Sequence, residues 1–199
     1  MLQTKTLPAA RCRARICVTL LAALLLLARA TPSWPLPASS VEYQVKAAFL
    51  LNFAKFIEWP PGAFHSDTAP ITLCVFTYDP FGSALDDILR GKNIHGREVL
   101  SRRTNELLDL KHCQVVFVSD KTDTRLSEVL NALKGSSVLL VGEGDDFAER
   151  GGAVQFFLED KKLRFAVNVD AVQRAGLTVS SKMLALARIV QDHGHPKGH

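Results

Sequence analysis

Three short segments of the chain, at 71–77, 113–119 and 137–141, consist largely of apolar residues. In the first segment both sets of alternating side chains are largely apolar, which is typical of a strand buried between two helical layers. It ends at Asp79-Pro80, because proline lacks a backbone N–H and Asp79 suits the cap of a following helix. The pattern predicts a central strand at 71–77 that ends in a βα turn.

A long amphipathic helix is predicted over 39–58, where apolar and aromatic residues recur at steps of three and four. Ser39 and Glu42 match a capping box at its start, and the prolines of 59–62 end it. The aromatic stripe suits a core-facing surface, and a partner or dimer face has a similar composition. Four charged positions are expected to contact water instead: Glu42, Lys46, Lys55 and Glu58.

Shorter periodic segments predict the remaining elements. Helices are expected at 81–90, 123–133 and 145–150, with one helical turn at 104–110 and an exposed strand at 94–100. A last helix is expected to begin near Ser180, with apolar positions at Met183, Leu184, Ala187, Ile189 and Val190.

The order of these elements predicts the fold class. Strands and helices alternate up to 153–158 and 163–169, two strands whose short connection forces antiparallel pairing. We therefore expect an α/β fold, a three-layer sandwich with a mostly parallel sheet and a C-terminal antiparallel hairpin. A flavodoxin-like strand order would place the strands of Cys74 and Cys113 side by side.

Residues 1–30 have the parts of a secretory signal peptide: a basic start, an apolar run at 16–28, and Ala28-Arg29-Ala30 as a cleavage site. The apolar run is shorter than the ~20 residues of a membrane span, which favours cleavage after Ala30 over an uncleaved anchor helix. The expected organisation is a signal peptide at 1–30, an extended lead-in at 31–38, one α/β domain at 39–191 and a flexible tail at 192–199.

Removal of the signal changes the charge and the cysteine content. Five of the 24 basic residues and none of the 20 acidic residues lie within 1–30, so the exported part is nearly neutral and offers no case for nucleic-acid binding. Cys12 and Cys17 also leave with the signal. The remaining pair, Cys74 and Cys113, is a candidate disulfide in an oxidising compartment. Two buried free thiols are the alternative.

Catalytic motifs are missing from the sequence. It has no phosphate-binding loop, no Gly-x-Ser-x-Gly and no CxxC, so neither a catalytic residue nor a metal or other cofactor is predicted. Ligands of open α/β sheets bind beyond the carboxyl ends of the strands. Tyr78, Asp79 and Phe81 lie at such a position and form a candidate ligand site, although ordinary turn chemistry explains Asp79 as well.

The order of motifs over nearly the whole exported part resembles the YfiR family. The matching stretches are EYQVKAAFLLNFAKFIEWP at 42–60, DPFG at 79–82, GREV at 96–99, FAERGGAVQF at 147–156, RFAVN at 164–168 and AGLTVSSKMLALA at 175–187. The first and the last are the most specific. Ala166 departs from the family pattern, which has an acid at this position of the FEIN-like stretch.

The resemblance implies a non-enzymatic periplasmic repressor, which binds the periplasmic domain of an inner-membrane diguanylate cyclase and inhibits it. It also implies lowered cyclic di-GMP and biofilm formation, a homodimer, an outer-membrane lipoprotein that sequesters the repressor, and dependence on cysteine pairing. The predicted partner surface is the C-terminal hairpin with the segment after it, through Val154, Ala166, Asn168 and Val172. Sheet packing is the alternative role for these four residues, and a small-molecule-binding periplasmic sensor is the alternative function.

Overall fold

The computed structural model of the protein describes residues 38–192, and side chains from residue 40. The predicted signal peptide, most of the lead-in and residues 193–199 of the predicted tail lie outside the described residues. The helices are α1 (Ala38–Phe56), α2 (Ser83–Leu89), α3 (Leu126–Ala132), α4 (Val169–Arg174) and α5 (Ser181–Leu184). The strands are β1 (Ile57–Glu58), β2 (Ile71–Phe76), β3 (Asn93–Ile94), β4 (Arg97–Thr104), β5 (Val115–Val118), β6 (Leu139–Gly142), β7 (Val154–Glu159), β8 (Lys162–Asn168), β9 (Thr178–Val179) and β10 (Arg188–Val190).

Eight of these strands form one sheet in the order β10-β8-β7-β6-β5-β2-β4-β3. The five strands from β4 to β7 are parallel and follow the flavodoxin-like order, with β2 between β4 and β5. The hairpin of β7 and β8 is antiparallel, as its short connection requires. The predicted α/β class with a mostly parallel sheet is therefore confirmed. β1 and β9 form a separate two-stranded sheet.

The sheet separates two apolar cores, because successive side chains of a strand point to opposite faces. Leu73 and Val75 of β2 enter the core that α1 and α2 cover, whereas Cys74 and Phe76 enter the core under α3. Within the first core, Phe53 of α1 packs against Phe156 of β7, with ring centroids 5.5 Å apart. The aromatic side of α1 thus has a core-facing role.

The C-terminal region differs from its predicted structure. Helix α5 ends at Leu184, and the next regular element is β10, which pairs in parallel with 166–168 of β8. The prediction of one helix through 190 is wrong, because β8 offers backbone partners that the periodic pattern of 183–190 does not reveal. Strand β10 also covers part of the outer side of the hairpin.

The segment 145–150 forms turns rather than the predicted helix. Asp146 has a positive φ of 51°, which a helical residue does not adopt, and the fully buried Phe147 inserts between the backbones of Gly142 and Gly152. A Cβ atom built on Gly152 would lie 2.1 Å from Cε1 and 2.8 Å from the backbone oxygen of Phe147. The position of this ring therefore requires glycine at 152.

Replacing Gly152 by alanine is expected to lower the free energy of unfolding by about 1–3 kcal/mol, the usual range for overpacking a core. The backbone oxygen of Phe147 cannot move aside as a flexible side-chain end would. Gly62→Ala is the matched control, because Gly62 has no atom within 4 Å of its Cβ position. Urea unfolding of both variants measures the difference. Equal stability of the two would show that the Phe147 ring relaxes without cost.

Candidate functional site

A disulfide joins Cys74 in β2 to Cys113, which lies two residues before β5. Because β2 and β5 are neighbours in the sheet, the two Cα atoms are 5.9 Å apart, within the usual range for a disulfide. Both cysteines are buried in the core under α3. The bond therefore ties the central strand to its neighbour inside the protein, away from solvent.

The three residues of the predicted ligand site lie together after β2 but have different environments. Phe81 is buried, with its ring centroid 4.7 Å from that of Phe117. Asp79 Oδ1 accepts a hydrogen bond from the Phe81 backbone N–H at 2.8 Å, which is ordinary turn geometry. Tyr78 is 40% exposed, and Lys121 Nζ donates to its hydroxyl at 2.8 Å. Tyr78 is thus the residue of the three that solvent reaches best, and ligand binding here stays a prediction.

Arg103, at the end of β4, links the loop after β2 to helix α2. Its Nε donates to Asp79 Oδ2 at 2.9 Å, and its guanidinium also pairs with Asp86. The hydrogen bond from Arg103 lowers the pKa of the Asp86 carboxyl. Because these side chains are partly exposed, the ion pairs orient the loop but contribute modestly to stability.

A buried charge cluster joins the start of α1 to the loop after β6. Lys46 Nζ contacts both Glu143 and Glu42, and the side chains of Lys46 and Glu143 are only 5% and 6% exposed. Tyr43 donates its hydroxyl proton to Glu143 Oε1 at 2.9 Å. Burial, together with the negative charge of Glu143, raises the pKa of Tyr43 far above its usual value.

The prediction that Lys46 contacts water is wrong, since the residue is 4% exposed. A sequence signal for its burial exists: Lys46 is seven residues from Phe53, so both fall on nearly the same side of α1. Reading the helical phase rather than the residue type identifies this position. A buried lysine needs an acidic partner, but the sequence does not show which one. The fold identifies it as Glu143, which is 97 positions away in the chain.

The four residues of the predicted partner surface are all buried: Val154, Ala166, Asn168 and Val172. Asn168 accepts a hydrogen bond from the backbone of Ala171 and thereby caps α4, and its Nδ2 donates to the oxygen of Ala148 at 2.6 Å. This burial fits the alternative role of these side chains in packing, and partner binding through them stays a prediction. A contact surface in this region has to use exposed residues instead.

Exposed apolar residues do lie at this end of the sheet. Leu158 at the end of β7 is 60% exposed, Leu186 before β10 is 73% exposed and Ile189 in β10 is 49% exposed. Arg188 connects β10 to the hairpin, since its guanidinium contacts Glu159 and lies 4.2 Å from the centroid of the Phe157 ring. We define the edge surface as Leu158, Leu186, Ile189 and the outer backbone edge of β10.

The fold and this arrangement define a disulfide-containing α/β protein with an exposed sheet edge. A family model described as YfiR/HmsC-like matches residues 43–188. The protein belongs to this family, as its sequence motifs predict. Among the described residues, no helix combines the length and apolar character needed to cross a membrane.

Two solved structures that align with the protein are remote in sequence. A conserved domain protein from Vibrio cholerae aligns with a TM-score of 0.51 at 11% identity, over 75% of this chain and 60% of its own length. The chain thus spans about 60% of that Vibrio protein. The ABC domain from Streptococcus pneumonia, solved in complex with L-Trp, aligns with a TM-score of 0.45 at 9% identity, over 60% of this chain and 56% of its own.

Proposed function

We propose that the protein is a periplasmic negative regulator that binds the periplasmic domain of an inner-membrane diguanylate cyclase and holds it inactive. The result is less cyclic di-GMP and less biofilm. The observation that carries the proposal is the YfiR/HmsC-like match, which spans most of the described residues. The buried disulfide supports it, because structural disulfides persist in oxidising compartments such as the periplasm.

Inhibition in this proposal is a population shift. A bound protein displaces an equilibrium only by the difference between its affinities for the two states. The regulator therefore binds the inactive state of the cyclase sensor domain more tightly than the active state. A difference of about 10⁴-fold would convert a cyclase that is almost fully active into one that is almost fully inactive.

The edge surface is the proposed contact with the cyclase. Strand β10 is the last strand of the sheet in the part of the chain that the structure describes, and the outer N–H and C=O groups of such an edge strand can pair with a strand of a partner. Leu186 and Ile189 present apolar side chains beside that edge. A partner strand would thus gain backbone hydrogen bonds and bury apolar area at the same place. A homodimer and sequestration by an outer-membrane lipoprotein belong to the same proposal through family resemblance.

Deletion of the gene tests repression, and complementation tests the surface. Deletion is expected to raise cellular cyclic di-GMP, and the wild-type gene to restore the low level. The gene carrying Leu186→Asp is expected not to restore the low cyclic di-GMP level. A charge at the centre of an interface weakens binding by about tenfold or more.

The matched control is Leu108→Asp. Leu108 is 79% exposed in a 3₁₀ segment whose Asp109 accepts a hydrogen bond from Thr104 of β4, near the other end of the sheet. This variant is expected to restore repression. An unchanged cyclic di-GMP level after deletion would contradict repression itself. If both variants restore the low cyclic di-GMP level, repression stands and only the proposed contact through the edge surface is contradicted.

A further inference from the structure

Strand β10 places no side chain in either core of the protein. Arg188 and Ile189 are exposed, and Val190 is only partly buried. Within the described chain, the last fully buried side chain is that of Met183 in α5. The neighbouring strand β8, in contrast, has four consecutive buried residues at 165–168. Strand β10 therefore adds backbone pairing to the sheet but little apolar burial.

Polar contacts hold β10 at both of its ends. At the start of the strand, the guanidinium of Arg188 pairs with Glu159. Two residues after the strand, the carboxylate of Asp192 accepts a hydrogen bond from Nδ2 of Asn168 and pairs with Arg174. We call the Arg188–Glu159 pair and the contacts of Asp192 the clasp. Because both arginines are about half exposed, each ion pair of the clasp is weak and sensitive to salt.

The backbone pairing of β10 is short as well. It joins 188–190 to 166–168, whereas β8 extends from 162 to 168, so that 162–165 have no outer strand neighbour among the described residues. A segment with few buried apolar contacts opens at a lower free energy than the core strands of the same protein. Departure of β10 would uncover a continuous edge of seven residues along β8.

We propose that β10 is a strap that opens and closes while the rest of the sheet stays folded, and that the clasp sets how often it opens. Opening takes Ile189 and the outer edge of β10 away from the edge surface, and it uncovers the β8 edge at 162–168. The inference goes beyond the contact with a cyclase, because it concerns a motion of the isolated protein. Either proposal can therefore fail without the other.

Limited digestion of the native protein with trypsin tests the motion, because cleavage within a strand follows the population of its open form. Arg164 in β8 is the internal control. The side chains of Arg164 and Arg188 are 53% and 55% exposed, so any difference in cleavage reports the backbone. The initial rate of cleavage after Arg188, measured by mass spectrometry, is expected to be at least about tenfold higher than after Arg164. Equal rates would overturn the proposal, since β10 would then open only together with the sheet.

The clasp is tested by Asp192→Asn, which removes the charge and keeps the size of the side chain. Cleavage after Arg188 is expected to become about tenfold faster, the factor for lost charge-assisted hydrogen bonds, with Arg164 unaffected. Asp67→Asn is the matched control, because Asp67 is exposed in the loop before β2.

Salt gives the same information on the unmodified protein, even if Asp192→Asn alters folding. Salt at about 1 M is expected to speed cleavage after Arg188 by about two- to fivefold relative to a short arginine peptide, because it screens the ion pairs of the clasp. Equal cleavage of the Asp192 and Asp67 variants, or a rate that salt leaves unchanged, would overturn the role of the clasp.

Discussion

Replacing Cys74 and Cys113 together by alanine is expected to lower the free energy of unfolding by about 4 kcal/mol. The disulfide closes a loop with a sequence separation of 39, and the chain-entropy model assigns about 4 kcal/mol to a loop of this size. Most of the effect comes from the unfolded chain, which gains freedom when the bond is absent. Urea unfolding of the oxidised wild type and the variant measures the loss.

Reductant supplies the control for this prediction. It is expected to destabilise the wild type towards the level of the variant and to leave the variant unchanged. The intact oxidised protein is also expected to weigh two hydrogens less than its reduced form. Two thiols detected by labelling the denatured oxidised protein would contradict the bond. If reductant does not change the unfolding free energy of the wild type, the disulfide does not contribute to stability as predicted.

Replacing Lys46 by methionine is expected to cost about 3–5 kcal/mol of unfolding free energy. Methionine has a similar length and an apolar side chain, so the packing beside the Tyr43 ring is largely preserved. The loss arises because Glu143, 6% exposed, keeps its charge in the interior without the ammonium group that compensates it. Thermal or urea unfolding near neutral pH measures it.

Lys55→Met is the matched control for this second variant. Lys55 lies on the same helix but is exposed, so its replacement is expected to change stability by no more than about 0.5 kcal/mol. Adding Glu143→Gln to Lys46→Met is expected to recover part of the loss, because the uncompensated charge is then removed. Equal stability of the Lys46 and Lys55 variants would show that water solvates Glu143 in the native protein.

The central strands were predictable from the sequence. The two faces of 71–77 are both apolar, and only a strand covered on both sides by helices buries them. The hairpin of β7 and β8 was equally predictable, because so short a connection excludes a crossover. The family motifs extend this agreement over most of the chain, since residues 43–188 match the family model.

The C-terminal segment was not predictable in the same way. Residues 183–190 carry apolar side chains at steps that suit a helix, yet 188–190 pair with β8. The decisive factor is the unpaired backbone of β8, whose N–H and C=O groups need partners. That edge exists only after the sheet has formed. The burial of Val154 and Ala166 was equally hidden from the sequence, because it depends on what packs on the faces of the sheet.

The sequence by itself determined the α/β class, the buried strands and the family, because these depend on periodicity and residue type along the chain. The tertiary structure alone decided that Lys46 meets Glu143 and that 188–190 pair with β8. These contacts join segments that are far apart in the chain. Their energies depend on burial and distance, which no local pattern of residues specifies.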